Sequence, residues 1–253
     1  MTKQKRPAKA TGTAADFIPA RPTLAKLRAA SKGCRGCDLF KVGTQTVFGE
    51  GPSTAQVMIV GEQPGDMEDR AGKPFVGPSG KLLDRAFDGA GISRDDVYVT
   101  NAVKHFKWAK DARTTRRIHK TPSAGEIRAC LPWLQHEIAL IQPRVIVCLG
   151  AIAAKALLGR TFSVTKRRGM PVDSDLAPAV FATVHPSAVL RAPSDQRGRA
   201  EAMFMADMRA VGRFLDKSSG PRRTTPRARK FSAWSTIARP SATSSESTRS
   251  SRE

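Results

Sequence analysis

The sequence predicts an α/β fold: a doubly wound, mostly parallel, four-stranded sheet flanked by helices. Four short apolar runs, at residues 56–60 (QVMIV), 97–100 (VYVT), 144–149 (RVIVCL) and 179–184 (AVFATV), read as strands buried on both faces. Stretches with helical spacing separate them, and strands joined through helices pair in parallel. The chain has 253 residues, enough for one such domain plus tails.

A helix at 24–30 leads into the Cys-x-x-Cys knuckle of Cys34 and Cys37. The first strand ends at Gly61. Residues 79–89 then place Leu82, Leu83 and Phe87 at helical spacing, with Ser79 as the expected N-cap. The second strand ends at Asn101. After Pro122, Ser123 and Glu126 form a capping-box pair that opens a helix to about residue 141. The third strand is followed by a helix at 151–158, and the fourth by a last helix at 200–215. Residues 1–17 are rich in Lys, Ala and Thr and show no hydrophobic periodicity. The stretch 217–253 is dense in Ser, Thr and Pro. Neither end holds enough apolar area to offset ordering entropy, so both read as disordered and 18–216 as the folded domain.

Formal net charge is +21. The C-terminal stretch has nine Lys and Arg against two Glu, a charge of +7, which leaves +14 on residues 1–216. A surplus this large calls for a polyanionic partner, nucleic acid first and an anionic membrane surface second. There is no run of 18 apolar residues, so no transmembrane helix is expected. No apolar stretch follows the basic N-terminus, so no secretory signal is expected either.

The chain has four cysteines, Cys34, Cys37, Cys130 and Cys148, the last two 18 positions apart. The spacing suits reduced, cytoplasmic metal ligands, for either a structural Zn²⁺ or an iron–sulfur cluster. Two disulfides are the alternative.

In an open parallel sheet, ligands bind at the carboxyl ends of the strands. The first strand runs into Gly61-Glu62-Gln63-Pro64-Gly65, the second ends in Asn101, and the fourth runs into His185-Pro186-Ser187. Each alone is an ordinary turn signal. Together they offer a carboxylate, an amide and an imidazole to one crevice. Residues 72–80 add three glycines and Phe75, whose ring can face a flat ligand. No G-x-G-x-x-G follows the first strand, which disfavours a dinucleotide site.

GEQPG at 61–65, GKPFVGPSG at 72–80, the strand-ending Asn101 and HPSAVLR at 185–191 resemble the uracil-DNA glycosylase superfamily. The cysteine pattern is similar to that of its family 4, whose members hold a [4Fe–4S] cluster. Gln63, where family 4 usually has a small residue, and a basic insertion at 107–120 ending in Arg116-Arg117-Ile118-His119 resemble the UdgX branch, which attaches covalently to uracil-containing DNA. The resemblance implies that Phe75 stacks on a flipped uracil and Asn101 reads its polar edge. The backbone of Gly61, Gln63, Pro64 and Gly65 would lie against the base. It further implies that His185 donates to O2, that Glu62 stabilises a cationic C1′ and accepts the second N–H of His119, and that His119 attacks C1′. Arg116 and Arg117 would grip phosphates, and the four cysteines would hold the cluster. The partner implied is uracil-containing DNA, single-stranded by preference, met by a monomer in the cytoplasm at the nucleoid. Ordinary turnover without an adduct, and a noncatalytic DNA-binding module with a structural metal, are the competing readings.

Overall fold

The computed structural model of the protein describes residues 12–217. The four apolar runs form β1 (Val57–Gly61), β2 (Val97–Asn101), β5 (Val145–Leu149) and β7 (Ala177–Thr183). Between β2 and β5, two short strands, β3 (Trp108–Lys110) and β4 (Arg117–His119), make a separate antiparallel hairpin. The main sheet has order β2-β1-β5-β7-β6, with β6 (Val172–Ser174) pairing antiparallel to β7 at the edge. The four-stranded expectation is therefore corrected to five. At β6 the sequence is Val-Asp-Ser, which has no apolar run, and only pairing with β7 makes it a strand.

The helices are α1 (Leu24–Ser31), α2 (Asp66–Ala71), α3 (Pro78–Asp88), α4 (Ala124–Ile141), α5 (Gly150–Leu158), α6 (Val164–Arg167), α7 (Pro186–Leu190) and α8 (Ser194–Lys217). Strand residues alternate between two cores, as the period of two requires. Met58, Val60, Tyr98, Ile146, Val180 and Ala182 pack with α4 and α5 on one face. Val57, Ile59, Val97, Val99, Val147 and Phe181 pack with α3 and α8 on the other.

The capping box at α4 is reciprocal: Ser123 N–H donates to Glu126 Oε2 at 2.6 Å, and Glu126 N–H to Ser123 Oγ at 3.2 Å. At α3 the expected Ser79 cap is displaced. Gly77 is the N-cap and Pro78 takes the first turn, where its missing N–H costs nothing.

Residues 12–17 depart from the disorder expected over 1–17. Thr13 and Asp16 cap each other around a 3₁₀ turn at Ala14–Phe17, and Ala14 is fully buried against the core that holds Cys34 and Trp133. One small apolar side chain and a closed cap are enough to dock this turn. The remainder of the N-terminal stretch and the tail beyond Lys217 lie outside the described residues.

From β1 the chain moves outward to β2, then crosses back to place β5 on the other side of β1. That reversal opens a crevice at the carboxyl ends of β1 and β5. Among the described residues no helix is long and apolar enough to cross a membrane.

Candidate active site

Gly61 and Asn101 are direct partners in the β1–β2 register, so the end of each strand faces the same crevice. A Cβ at Gly61 would collide with Asn101 Oδ1 and with the Phe75 ring, so glycine keeps the space between them open. Phe75 is held at φ 56°, a left-handed conformation costly for a bulky residue. Its ring stacks on His185 with centroids 6.2 Å apart and planes at 25°. Glu68 on α2 joins the two loops, accepting from Gly65 N–H at 3.1 Å and from Gly77 N–H at 2.8 Å. Pro64 is buried between them.

Asn101 is buried, and within the described residues its Oδ1 has no hydrogen-bond partner; neither does Glu62 Oε1. Two buried acceptors without donors fit a site that a donor-bearing ligand completes. His185 caps α7, and its Nδ1 accepts from Ser187 N–H at 3.1 Å, which leaves the ring proton on Nε2. Burial, then the nearby positive charge of Arg191, pushes His185 down to about 4, so the ring is neutral at pH 7. The site thus has a neutral N–H donor, a flat aromatic face and an amide around one gap.

The insertion expected as a basic loop is the β3–β4 hairpin, and it delivers His119 to this gap. His119 Nε2 lies 2.8 Å from Gln63 Nε2 and 3.8 Å from Glu62 Oε1. Gln63 also accepts from Lys107 N–H at 3.0 Å and donates to the Lys120 carbonyl at 3.0 Å. Its side-chain amide is therefore committed to the two ends of the hairpin, at Lys107 and Lys120, which leaves its backbone for the base. Because the Gln63 amide donates to Nε2, the His119 proton resides on Nδ1. This corrects the expected role of Glu62 as holder of the tautomer: at 3.8 Å it is beyond hydrogen-bond reach and faces Nε2. Burial, then the charge of Arg191, lowers the His119 pKa, and burial raises that of Glu62.

Arg117 is not free to grip a phosphate. Its guanidinium bonds to Asp66, to Asp69 Oδ2 at 2.6 Å and to Thr44 Oγ1 at 3.0 Å, and lies over Phe106 and Trp108 at 5.4 and 5.3 Å. It clamps the hairpin to α2. Arg116 is exposed at the hairpin turn and remains available for an anion. Sequence reasoning passes over Arg191, the C-cap of α7, whose charge acts on Glu62, His119 and His185 together. Its place as the last residue of the HPSAVLR motif is the available signal. Replacing Arg117 by Ala leaves the fully buried Asp69 carboxylate without its cation. We expect a loss on the order of 3 kcal/mol, read as a Tm lowered by about 6–12 °C in a thermal melt.

The four cysteines are free thiols, which removes the disulfide alternative. Cys34, Cys37 and Cys130 share one buried cluster with Trp133 and Phe48. Trp133 Nε1–H donates to Cys34 Sγ at 3.4 Å and Lys104 N–H to Cys130 Sγ at 3.2 Å, contacts that suit thiolates. Burial, opposed in part by the charge of Lys104, pushes the Cys130 thiol up to about 12. Cys148 stands apart. It lies in mid-sheet on β5, beside Val60 and Ala182, in the core facing α4 and α5. There, on a strand buried on both faces, a cysteine can pack as a small apolar residue. The buried His105 imidazole lines a recess of about 220 Å³ together with Cys34 and Gly43. Among the described residues no group of three or more His, Cys, Asp or Glu side chains closes on one point as a single ion requires.

The crevice at these strand ends thus gathers a carboxylate, an amide, an aromatic face and a neutral imidazole on a doubly wound sheet. Residues 48–209 match the family model for the uracil DNA glycosylase superfamily, and the chain belongs to that family. It is 40% identical over 205 residues to the type-4 uracil-DNA glycosylase of Pyrobaculum aerophilum, covering 77% of this chain and 98% of that one. It is 37% identical to the type-4 enzyme of Thermotoga maritima, over 74% and 91% of the two chains. The type-4 enzyme of Archaeoglobus fulgidus is 35% identical, over 73% and 89%.

Proposed function

We propose that this protein excises uracil from DNA and stays bonded to the resulting deoxyribose through His119. The names of its relatives support the first part. The observation that supports the second is the His119 ring, neutral by burial, standing 3.8 Å from Glu62 at the mouth of the crevice.

Uracil stacked in a strand must be turned outward to reach such a crevice. Phe75 offers its face to the ring and Asn101 Oδ1, unpartnered among the described residues, accepts from N3–H. The C1′–N1 bond then breaks and its electron pair leaves with the base, whose growing charge at O2 takes the His185 Nε2 hydrogen bond. A donor aimed at developing charge in a dry pocket supplies about 3–4 kcal/mol. C1′ becomes cationic, and the Glu62 carboxylate stabilises it. His119 Nε2 exchanges its Gln63 contact for C1′ and forms the new bond. The Nδ1 proton of the resulting imidazolium passes to solvent, and the uracil anion takes one up. Arg116 and Arg191 meet the flanking phosphates.

The type-4 names of the relatives favour a second reading, in which water reaches C1′ and the enzyme turns over. A denaturing gel after incubation with uracil-bearing single-stranded DNA decides. We expect a slow-migrating band that survives boiling; free uracil and an abasic strand alone would establish turnover.

We further propose a [4Fe–4S] cluster held by Cys34, Cys37 and Cys130, with His105 as the fourth ligand. Three thiols in one buried cluster, with two N–H donors already on their sulfurs, support it. Zinc on the same donors is the rival. The cluster's part is structural: it ties the segment after α1 to α4 and to the turn after β2. His105→Ala and Cys130→Ala are each expected to lose the broad absorbance near roughly 400 nm, whereas Cys148→Ala keeps it.

A further inference from the structure

Beneath the end of β2 lies a group of polar side chains with no exposure and no part in the chemistry above. Thr100, Lys104 and Glu137 are each completely buried, as is Tyr98. Lys104 Nζ donates to Thr100 Oγ1 at 2.6 Å, to Glu137 Oε2 at 2.6 Å and to the Asn101 carbonyl at 2.9 Å, which uses all three of its hydrogens. Glu137 Oε1 accepts from Tyr98 O–H at 2.9 Å and from Gly49 N–H at 3.2 Å, and Thr100 Oγ1 is 3.1 Å from both carboxylate oxygens. Taking two charges out of water in this way stabilises a fold no better than apolar side chains of the same volume. Stability alone does not account for the pair.

Lys104 is three residues past Asn101 and folds back onto its carbonyl. The side-chain carbonyl of Asn101 has no partner among the described residues. Its direction is thus set by its backbone and packing, not by a bond of its own. An amide rejects the wrong base only if its donor and acceptor cannot exchange places. From the far side, Glu137 extends from the same face of α4 as Trp133 and Cys130, one and two turns away. Lys104 also donates its own N–H to Cys130. One continuous chain of hydrogen bonds therefore runs from the cysteine-lined core to the backbone of Asn101.

We infer that Lys104 and Glu137 are positioning residues that hold the Asn101 amide in register with the base. This rests on Asn101 reading uracil, as proposed above. The test is a double-mutant cycle on single-turnover uracil excision. The pair variant Lys104→Met/Glu137→Gln removes both charges together, so no buried ion is left unpaired. It is expected to fold, with its absorbance and Tm measured separately, and to excise uracil about tenfold more slowly. Combined with Asn101→Ala, the pair should add less than about twofold to the loss caused by Asn101→Ala alone. Full additivity, or an unchanged rate in the pair variant, overturns the inference. If the pair variant does not fold, Tyr98→Phe, which removes one donor from Glu137, takes its place in the same cycle: non-additivity with Asn101→Ala supports the inference, and additivity or an unchanged rate overturns it. An Asn101→Ala variant as fast as the wild type would instead sink the reading of Asn101 itself, and this inference with it.

Discussion

His119→Ala is expected to abolish the boiling-resistant protein–DNA band while uracil is still released. In the proposed mechanism the glycosidic bond breaks in the crevice of Gly61, Glu62, Phe75, Asn101 and His185, and all five are untouched by this change. His119, in that mechanism, supplies only the group that meets C1′ afterwards. Its side chain is 48% exposed, so removing it opens no cavity in the core. Gln63 keeps its contacts to Lys107 and Lys120, so the hairpin stays latched. Without the imidazole the cationic carbon is open to water, and the strand leaves as an abasic product. A gel for the adduct and a separate assay for released uracil check the two halves of this prediction. An adduct of equal yield in the variant would mean that another side chain attacks.

His185→Ala should act earlier, on bond breaking. The ring is a neutral donor whose proton is fixed on Nε2 by Ser187, in a setting too buried for the ring to be charged. Loss of one such donor to developing negative charge slows the chemical step by about 10²–10³. Excision and adduct formation should fall together, because both follow the same broken bond. Single-turnover kinetics with saturating protein reads the effect free of product release. A variant that loses the adduct but excises normally would show that His185 serves capture and not departure of the base.

Much of the frame is legible in the sequence because β1, β2, β5 and β7 are buried on both faces and therefore read as unbroken apolar runs. The site residues at their ends are legible for the same reason: a strand that stops at Gly61, Asn101 or Thr183 announces where its loop begins. What escapes notice depends on contacts distant in sequence. The β3–β4 hairpin is short and largely exposed, and its order comes from Gln63, Asp66 and Asp69 more than 40 positions earlier. Arg117 resembles a phosphate ligand because nothing local distinguishes a guanidinium that faces solvent from one that meets two carboxylates. Cys148 resembles a metal ligand by its spacing from the other cysteines. Its alternation with Ile146 along β5 already places it on a core face, a clue the sequence does carry. His105 has no periodic signal, since it lies in the turn after β2. For α7 the sign is present but easily overlooked: a polar residue followed by proline, His185-Pro186, is a helix start.

Every fastening of the β3–β4 hairpin falls between Val42 and Asp69 or at Lys107–Glu126, never on the sheet's far edge. The hairpin is thus a removable attachment whose socket is a short stretch beside the first strand. Transplanting it alone onto another member of the family would leave it adrift, and an engineer would have to carry Gln63, Asp66 and Asp69 across with it.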